Sequence, residues 1–190
     1  ATNVRALNDL GLEARGLAWI HDDRKAPRNV SWLKEPVSKR RHPIKGVLRS
    51  IRTRSIILNA IKWADVIHWH SAWALTGAQD VKFASKLGKT GIIEFWGTEI
   101  RKRSVATENN PYLDELYRKR PELARSDENI RSKQKVFADY GFECLIPGYE
   151  LGDYVDKEIF PEFYQCDFPI YLPDFDPVYP DPQNTRPLVV

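Results

Sequence analysis

Asp65-Val66-Ile67-His68-Trp69-His70-Ser71 and Gly91-Ile92-Ile93-Glu94-Phe95-Trp96-Gly97-Thr98-Glu99-Ile100-Arg101 are the stretches whose reading decides the fold. Each starts with an apolar run of strand length and ends in hydrogen-bonding and aromatic side chains. Between them, Ala78 to Leu87 has helical spacing: Val81, Ala84 and Leu87 fall near one face, Phe83 lies beside them, and Gly88 is a natural stop. Two short apolar strands joined by such a helix must run parallel, because only a crossover returns the chain to the same edge of a sheet. Open parallel sheets bind ligands outside the carboxyl ends of their strands. The pattern therefore predicts that His70, Ser71, Trp73, Gly97, Thr98, Glu99 and Arg101 line one rim.

The chain's 190 residues, 42% hydrophobic and 29% charged, are enough to bury a core without disulfides or metals. Its two cysteines, Cys144 and Cys166, are unclustered and read as reduced thiols in a reducing compartment. No apolar run reaches the length of a membrane span, and Arg5, Asp9 and Glu13 interrupt any leader-like stretch, so a cytoplasmic location is expected. The chain begins at Ala1 and contains no Met, which reads as a fragment or a trimmed product. The net charge of +3 hides an asymmetry: about +9 on the first 150 residues against −6 on residues 151–190. The basic part favours an anionic partner such as a membrane surface, a phosphate or a nucleic acid.

Taken in order, Ala1 to Leu10 reads as a helix with Val4, Leu7 and Leu10 on one face and Gly11 as its stop. Glu13 to Ile20 follows as a strand. A parallel α/β domain that opens on a helix is expected to lack its first strand. His21 to Pro43 reads as a long polar loop, and its Asn29-Val30-Ser31 sequon carries little weight without a secretion signal. Ile44 to Ala64 is the clearest helix, with Ile44, Val47, Leu48, Ile51, Leu58 and Ile61 in one apolar stripe. Lys45, Arg49, Arg52 and Arg54 lie on its other face, Lys39, Arg40 and Arg41 precede it, and no acid occurs between Val37 and Ala64. That pattern fits an anionic inner-membrane surface held through Lys39, Arg40, Arg41, Lys45, Arg49 and Arg52. It fits equally a core-packed helix with a solvated basic face. Aromatic residues are nearly absent from the stretch, which argues against nucleic acid.

Beyond Arg101 the chain is polar and basic to a loop at Asn109-Asn110-Pro111, and Pro111 to Arg125 is charged with some helical character. Ser126 to Tyr140 reads as a helix with Ile130, Val136, Phe137 and Tyr140 inward and Gly141 as its stop, and Phe142 to Pro147 as a strand. Eight of the thirteen prolines lie from Pro147 onward, marking a change of character. Phe168 to Pro173 reads as a last short strand and Asp174 to Pro187 as an interdomain linker. The expected fold is α/β: a Rossmann-like parallel sheet flanked by helices over residues 1–173, its first strand missing, followed over 174–190 by a linker and the start of a second domain.

Three phrases in this order carry a family resemblance: Asp65-Val66-Ile67-His68-Trp69-His70, then Phe95-Trp96-Gly97-Thr98-Glu99-Ile100-Arg101, then Ile170-Tyr171-Leu172-Pro173-Asp174-Phe175-Asp176. The chain resembles the amino-terminal half of group 1 (family 4) retaining glycosyltransferases, which have the two-domain GT-B fold. In that family the first domain holds the acceptor and the second holds the nucleotide-sugar donor and supplies the paired glutamates of the donor site. The resemblance implies a hexosyltransferase half whose His70 and Gly97 to Glu99 face an interdomain cleft, with a sugar or glycolipid acceptor and a nucleotide-sugar donor as partners. It implies no turnover without the second domain. Two positions depart from the family pattern: Trp96 stands where a His usually precedes the Gly, and Asp174 where the third phrase usually has Asn.

His68 and His70 are two apart and point the same way on a strand, with Trp69 facing the opposite side. A metal site needs a third ligand, and no Cys, Asp or His is placed by sequence to supply one, so neither metal nor cofactor is expected. His68 reads as a packed or capping residue; His70, at the strand end, reads as a contact for substrate hydroxyls. At Gly97 the backbone can approach a ligand, Thr98 can cap the following turn and present N–H groups, and Glu99 can accept from acceptor hydroxyls. Arg101 and Arg103 suit a phosphate or plain solvation. Trp73 and Trp96 suit stacking on a sugar face or burial in a core. The substrate-binding set is thus His70, Ser71, Trp73, Trp96, Gly97, Thr98, Glu99 and Arg101, with no catalytic residue assigned. A nucleophile elbow, a Walker loop and a complete Gly-x-Gly-x-x-Gly are all absent, and the scattered acids make no hydrolase pair. The competing reading is a non-catalytic module that binds carbohydrate or an anion at the same rim.

Overall fold

The computed structural model describes residues 2–19, 29–33, 43–108 and 110–167. The expected last strand at Phe168 to Pro173, the linker after it, and Lys39, Arg40 and Arg41 lie outside the described residues. Ala1–Trp32 belongs to a smaller compact unit and Leu33–Phe168 forms the larger one.

In the smaller unit, helix α1 (Thr2–Asp9) stops at Gly11, whose φ of 81° is the left-handed conformation that favours glycine. Asn8 clips the chain that follows: its Nδ2 donates to the Val4 and Ala14 carbonyls at 2.6 and 2.9 Å. Strand β1 (Gly16–Trp19) is shorter than the Glu13 to Ile20 run. It pairs with β2 (Val30–Leu33) in a two-stranded sheet of their own, so it is not a strand of the main sheet. β2 falls inside the stretch read from sequence as a long loop. Its four residues, flanked by prolines and charges, are too few to show a period.

The larger unit is a parallel sheet of four strands in the order β3-β4-β5-β6, namely Val66–His70, Thr90–Glu94, Glu143–Pro147 and Tyr164–Cys166. Helix α2 (Pro43–Trp63) precedes β3, α3 (Gln79–Lys86) connects β3 to β4, and α4 (Arg103–Glu108), α5 (Pro111–Lys119) and α6 (Asp127–Asp139) connect β4 to β5. The strand-helix-strand unit read from Asp65 to Arg101 is present and parallel, with His70 paired to Glu94. β6 was not expected: three exposed residues at a sheet edge carry no apolar pattern. α4 likewise forms in a polar stretch that the sequence pattern assigns to no element.

The two faces of the sheet differ. Trp69, Ile93, Cys144 and Ile146 are buried on one face, and Val81 and Ala84 of α3 and Ile130 and Phe137 of α6 are buried as well. Trp69 lies 5.7 Å from Phe137 and 5.0 Å from Phe142, ring centre to ring centre. Each such aromatic contributes about 2–3 kcal/mol through burial. Gly91 is required here, since a Cβ would meet Phe142 at 2.5 Å and Trp69 at 2.8 Å. Burial pushes the Cys144 thiol up to about 12, and Glu143 adds to it, so this thiol is inert packing. The alternate positions, Val66, His68, His70, Ile92, Glu94, Leu145 and Pro147, share the opposite face, where Glu94 and Pro147 are buried.

Helix α2 forms as expected, but its stripe is used differently. Ile57 and Ile61 are buried, whereas Ile44, Val47, Leu48 and Ile51 remain exposed, Ile44 at 75%. Among its large apolar side chains, those that are buried lie in the carboxyl-terminal half.

Asp156 ties α6 to the segments after β4 and β5. It lies 3.3 Å from Lys102 and 2.6 Å from Arg131 and accepts from the Glu158 N–H, while its own N–H donates to buried Gln134. Burial pushes its carboxyl up, but Lys102, the Glu158 N–H and Arg131 outweigh that and hold it below the ordinary carboxylate range. A lowered folded value means that this stabilisation is fully present above about pH 4 and is lost as pH falls further. Asp156→Asn is expected to cost about 2 kcal/mol at neutral pH and to flatten the acid limb of stability against pH. Urea denaturation of both proteins from pH 7 downward checks it; an equal loss for both below pH 4 would refute the assignment.

Candidate functional site

The site grows from the place where β3 leaves the sheet. Ser71 has a φ of 69°, unusual outside glycine, and its N–H donates to the Glu94 carbonyl at 2.8 Å, extending the ladder past His70. The chain then runs back to α3 over a loop that Asp80 holds down. The Asp80 carboxylate is fully buried and accepts from the Trp69 indole N–H at 3.0 Å, the Ala74 N–H at 2.7 Å and the Leu75 N–H at 3.1 Å. Asp80 therefore joins the core-facing side chain of β3 to the loop behind its tip. From sequence it is an ordinary first-turn acid, and no local signal separates it from one.

His68 and His70 project together from β3, and Glu94 meets them from β4. Glu94 Oε2 lies 3.0 Å from His68 Nε2 and 2.9 Å from His70 Nδ1, and the imidazole centres are 4.3 Å apart. The Glu94 side chain is only 2% exposed. Burial pushes its carboxyl up, but the His68 and His70 contacts outweigh this and bring it down to about 2. Glu94 is thus an ionised carboxylate in a largely dry position. Oε2 nevertheless has no aligned hydrogen bond, although both ring nitrogens are close. The third member of the cluster is thus a Glu and not the Cys, Asp or His that the sequence pattern fails to place beside the two histidines. The available signal was a single charge inside an apolar strand.

The Trp96-Gly97-Thr98-Glu99 corner stands next to this cluster. The Trp96 ring, 41% exposed, meets His70 edge-on at 5.8 Å. Glu99 folds back so that its Oε1 accepts from the Trp96 N–H and, at 3.0 Å, from the Gly97 N–H. The cap on this turn is therefore Glu99 rather than Thr98, and the Trp96 and Gly97 N–H groups are occupied by Glu99. The Ile100 and Arg101 N–H groups both close onto the Gly97 carbonyl at 3.0 Å. A Cβ at Gly97 would meet nothing within 4 Å beyond its two chain neighbours, although the residue itself is buried.

The remaining rim residues diverge. Trp73 is half-buried and lies 6.2 Å from Phe137, on the core side of the loop. Arg101 faces Glu150 at 4.0 Å, and Arg103 faces Asp114 at 3.8 Å. Arg101 also lines an open groove of about 670 Å³ with Glu108, Glu150, Asp153 and Tyr154. His68, His70, Glu94 and Trp96 do not line it. The structure thus brings together His70, Ser71, Trp96, Gly97 and Glu99, leaves Thr98 exposed beside them, and turns Trp73 and Arg101 to other surroundings.

Comparison with known proteins gives no match: no family model, no curated protein and no solved structure matches the chain. Among the described residues no helix is long and apolar enough to cross a membrane.

Asp80→Ala strands one buried and two part-buried N–H donors, each costing up to about 1–3 kcal/mol, and is expected to destabilise by about 4 kcal/mol. Trp69→Phe removes one of the three bonds and should cost roughly 1 kcal/mol through that bond. Denaturant melts of the two variants check the ranking. A milder effect for Asp80→Ala than for Trp69→Phe would show that the loop is held elsewhere.

Proposed function

We propose that the chain is the acceptor-side half of a retaining hexosyltransferase with a GT-B arrangement, binding a sugar or glycolipid acceptor at the His70–Trp96 corner. The observation that carries this reading is the meeting of His70 and Trp96 at the carboxyl ends of two adjacent parallel strands. An exposed indole beside an imidazole offers an apolar face for a sugar ring and a polar edge for its hydroxyls. The three sequence phrases that resemble the family supply the transferase part. The donor nucleotide-sugar would be held by a domain not contained in these 190 residues. A glycan array probed with the chain should show hexose-containing ligands whose binding falls at least about tenfold, ~1.4 kcal/mol, in both His70→Ala and Trp96→Ala. The 190-residue chain alone should transfer no hexose from a nucleotide-sugar. Unaltered binding in both variants, or turnover by the chain alone, would overturn the proposal.

Two observations favour a second reading, a binding module without catalysis: Trp96 occupies the usual place of a histidine, and Glu99 is engaged by its own turn. The exposed half of α2 suits membrane attachment in either case, since Ile44, Val47, Leu48 and Ile51 lie bare beside Lys45, Arg49 and Arg52. Vesicles containing phosphatidylserine should sediment the chain at low salt and release it at high salt, and Leu48→Glu with Ile51→Glu should abolish sedimentation without unfolding. Neutral vesicles binding equally well would remove the electrostatic argument.

A further inference from the structure

We infer that His68, His70 and Glu94 form a binding site for one divalent transition-metal ion of the zinc class. The inference goes beyond the sugar-binding reading and does not depend on it. Two imidazoles and a carboxylate are the donor set of open zinc sites, in which three protein ligands leave a position for water or substrate. The backbone dictates the grouping. Residues two apart on a strand share a face, and the parallel register sets Glu94 beside His70. The three donor atoms lie within 4.8 Å of one another.

Ligand bonds of about 2.0–2.2 Å at a tetrahedral ion place donors roughly 3.3–3.5 Å apart. The two contacts to Glu94, at 2.9 and 3.0 Å, need to open by a few tenths of an ångström, and the two imidazole nitrogens, within 4.8 Å of each other, to close by up to about 1.5 Å. The imidazoles are the movable partners, with side chains 31% and 47% exposed, while Glu94 is fixed at 2%. That exposure also gives an ion its entry and leaves its remaining positions facing solvent.

An independent observation is the unsatisfied Glu94 Oε2. A sealed carboxylate oxygen without an aligned donor is costly, and an ion bridging it to the two ring nitrogens removes the deficit. The donor set also selects the ion. Calcium and magnesium require a shell of oxygens, which two imidazoles do not supply. Nitrogen-rich sites favour Zn²⁺, Co²⁺, Ni²⁺ and Cu²⁺. Cys166, although exposed on β6, is not in the cluster. Bound there, the ion would face the same side as Trp96, so its open positions would be available to hydroxyl or phosphate oxygens of a ligand at that corner.

The full 190-residue chain, stripped with EDTA, is titrated with ZnCl₂ by calorimetry and with CoCl₂ by visible absorption. The expected result is one ion per chain, the intense d–d absorption of a low-coordinate Co²⁺ site, and no heat with MgCl₂ at the same concentration. His70→Ala and Glu94→Gln should each weaken Zn²⁺ binding at least tenfold, whereas His21→Ala and His42→Ala, which alter the chain's other two histidines, should leave it unchanged. Should either cluster variant fail to fold, imidazole ¹⁵N spectra of the unmodified chain decide: Zn²⁺ must shift the His68 Nε2 and His70 Nδ1 resonances. Absence of stoichiometric binding, undiminished binding in folded His70→Ala, or shifts confined to His21 and His42 overturns the inference. The glycan array repeated in EDTA keeps the two proposals apart, since sugar binding that survives chelation supports the rim reading even where the metal fails.

Discussion

The bond set around Asp80 is the constraint on which the candidate site rests. A buried carboxylate is tolerated only when its oxygens are saturated with donors, and Asp80 meets that condition with an indole and two backbone N–H groups. The same bonds that satisfy the charge fix the loop behind the β3 tip to the underside of Trp69. Trp69 is in turn clamped by Phe137 and Phe142. The strand tip is therefore held from the core side, and His68 and His70 inherit their positions from a tryptophan that points away from them.

The second carboxylate on these strands is handled in the opposite way. Asp80 is surrounded by aligned donors; Glu94 is surrounded by near neighbours whose geometry does not complete its shell. Placed beside each other, the two show that burial alone does not mark a functional group. What distinguishes Glu94 is an incomplete set of partners combined with exposed, movable imidazoles. Such polar groups are the customary exception in a packed interior, and they recur where a ligand completes the arrangement.

Much of the larger unit could be read from the chain. The change of period between Val66–His70 and the helix after it, the glycine at position 88, and the apolar run before Glu94 were sufficient for a parallel strand-helix-strand unit. So were Ser126, whose side chain accepts from the Asn129 N–H at 3.2 Å, and the apolar spacing of Ile130 and Phe137 for α6. The short strands β2 and β6 could not be read, because three or four residues do not display a period. The exposure of Ile44 to Ile51 could not be read either: periodicity identifies a face and does not say what covers it. Of the site, the meeting of His70 with the Trp96 corner followed from topology. Glu94 and the self-capping of Glu99 did not, since both depend on side-chain directions that only register and turn geometry determine.

The alternation along β3 has a consequence for how this surface can change. Inward Trp69 and outward His68 and His70 interleave residue by residue, so structure and chemistry share one short segment without sharing a position. Point substitutions on the outer set are cheap experiments for evolution, because the hydrophobic inner set is left intact. A single-residue insertion or deletion within the strand is a different event: it would drive imidazoles into the aromatic layer and expel the indole into water. Divergence of this surface is accordingly expected to proceed by replacement within a frozen frame, and length variation to accumulate beyond Ser71.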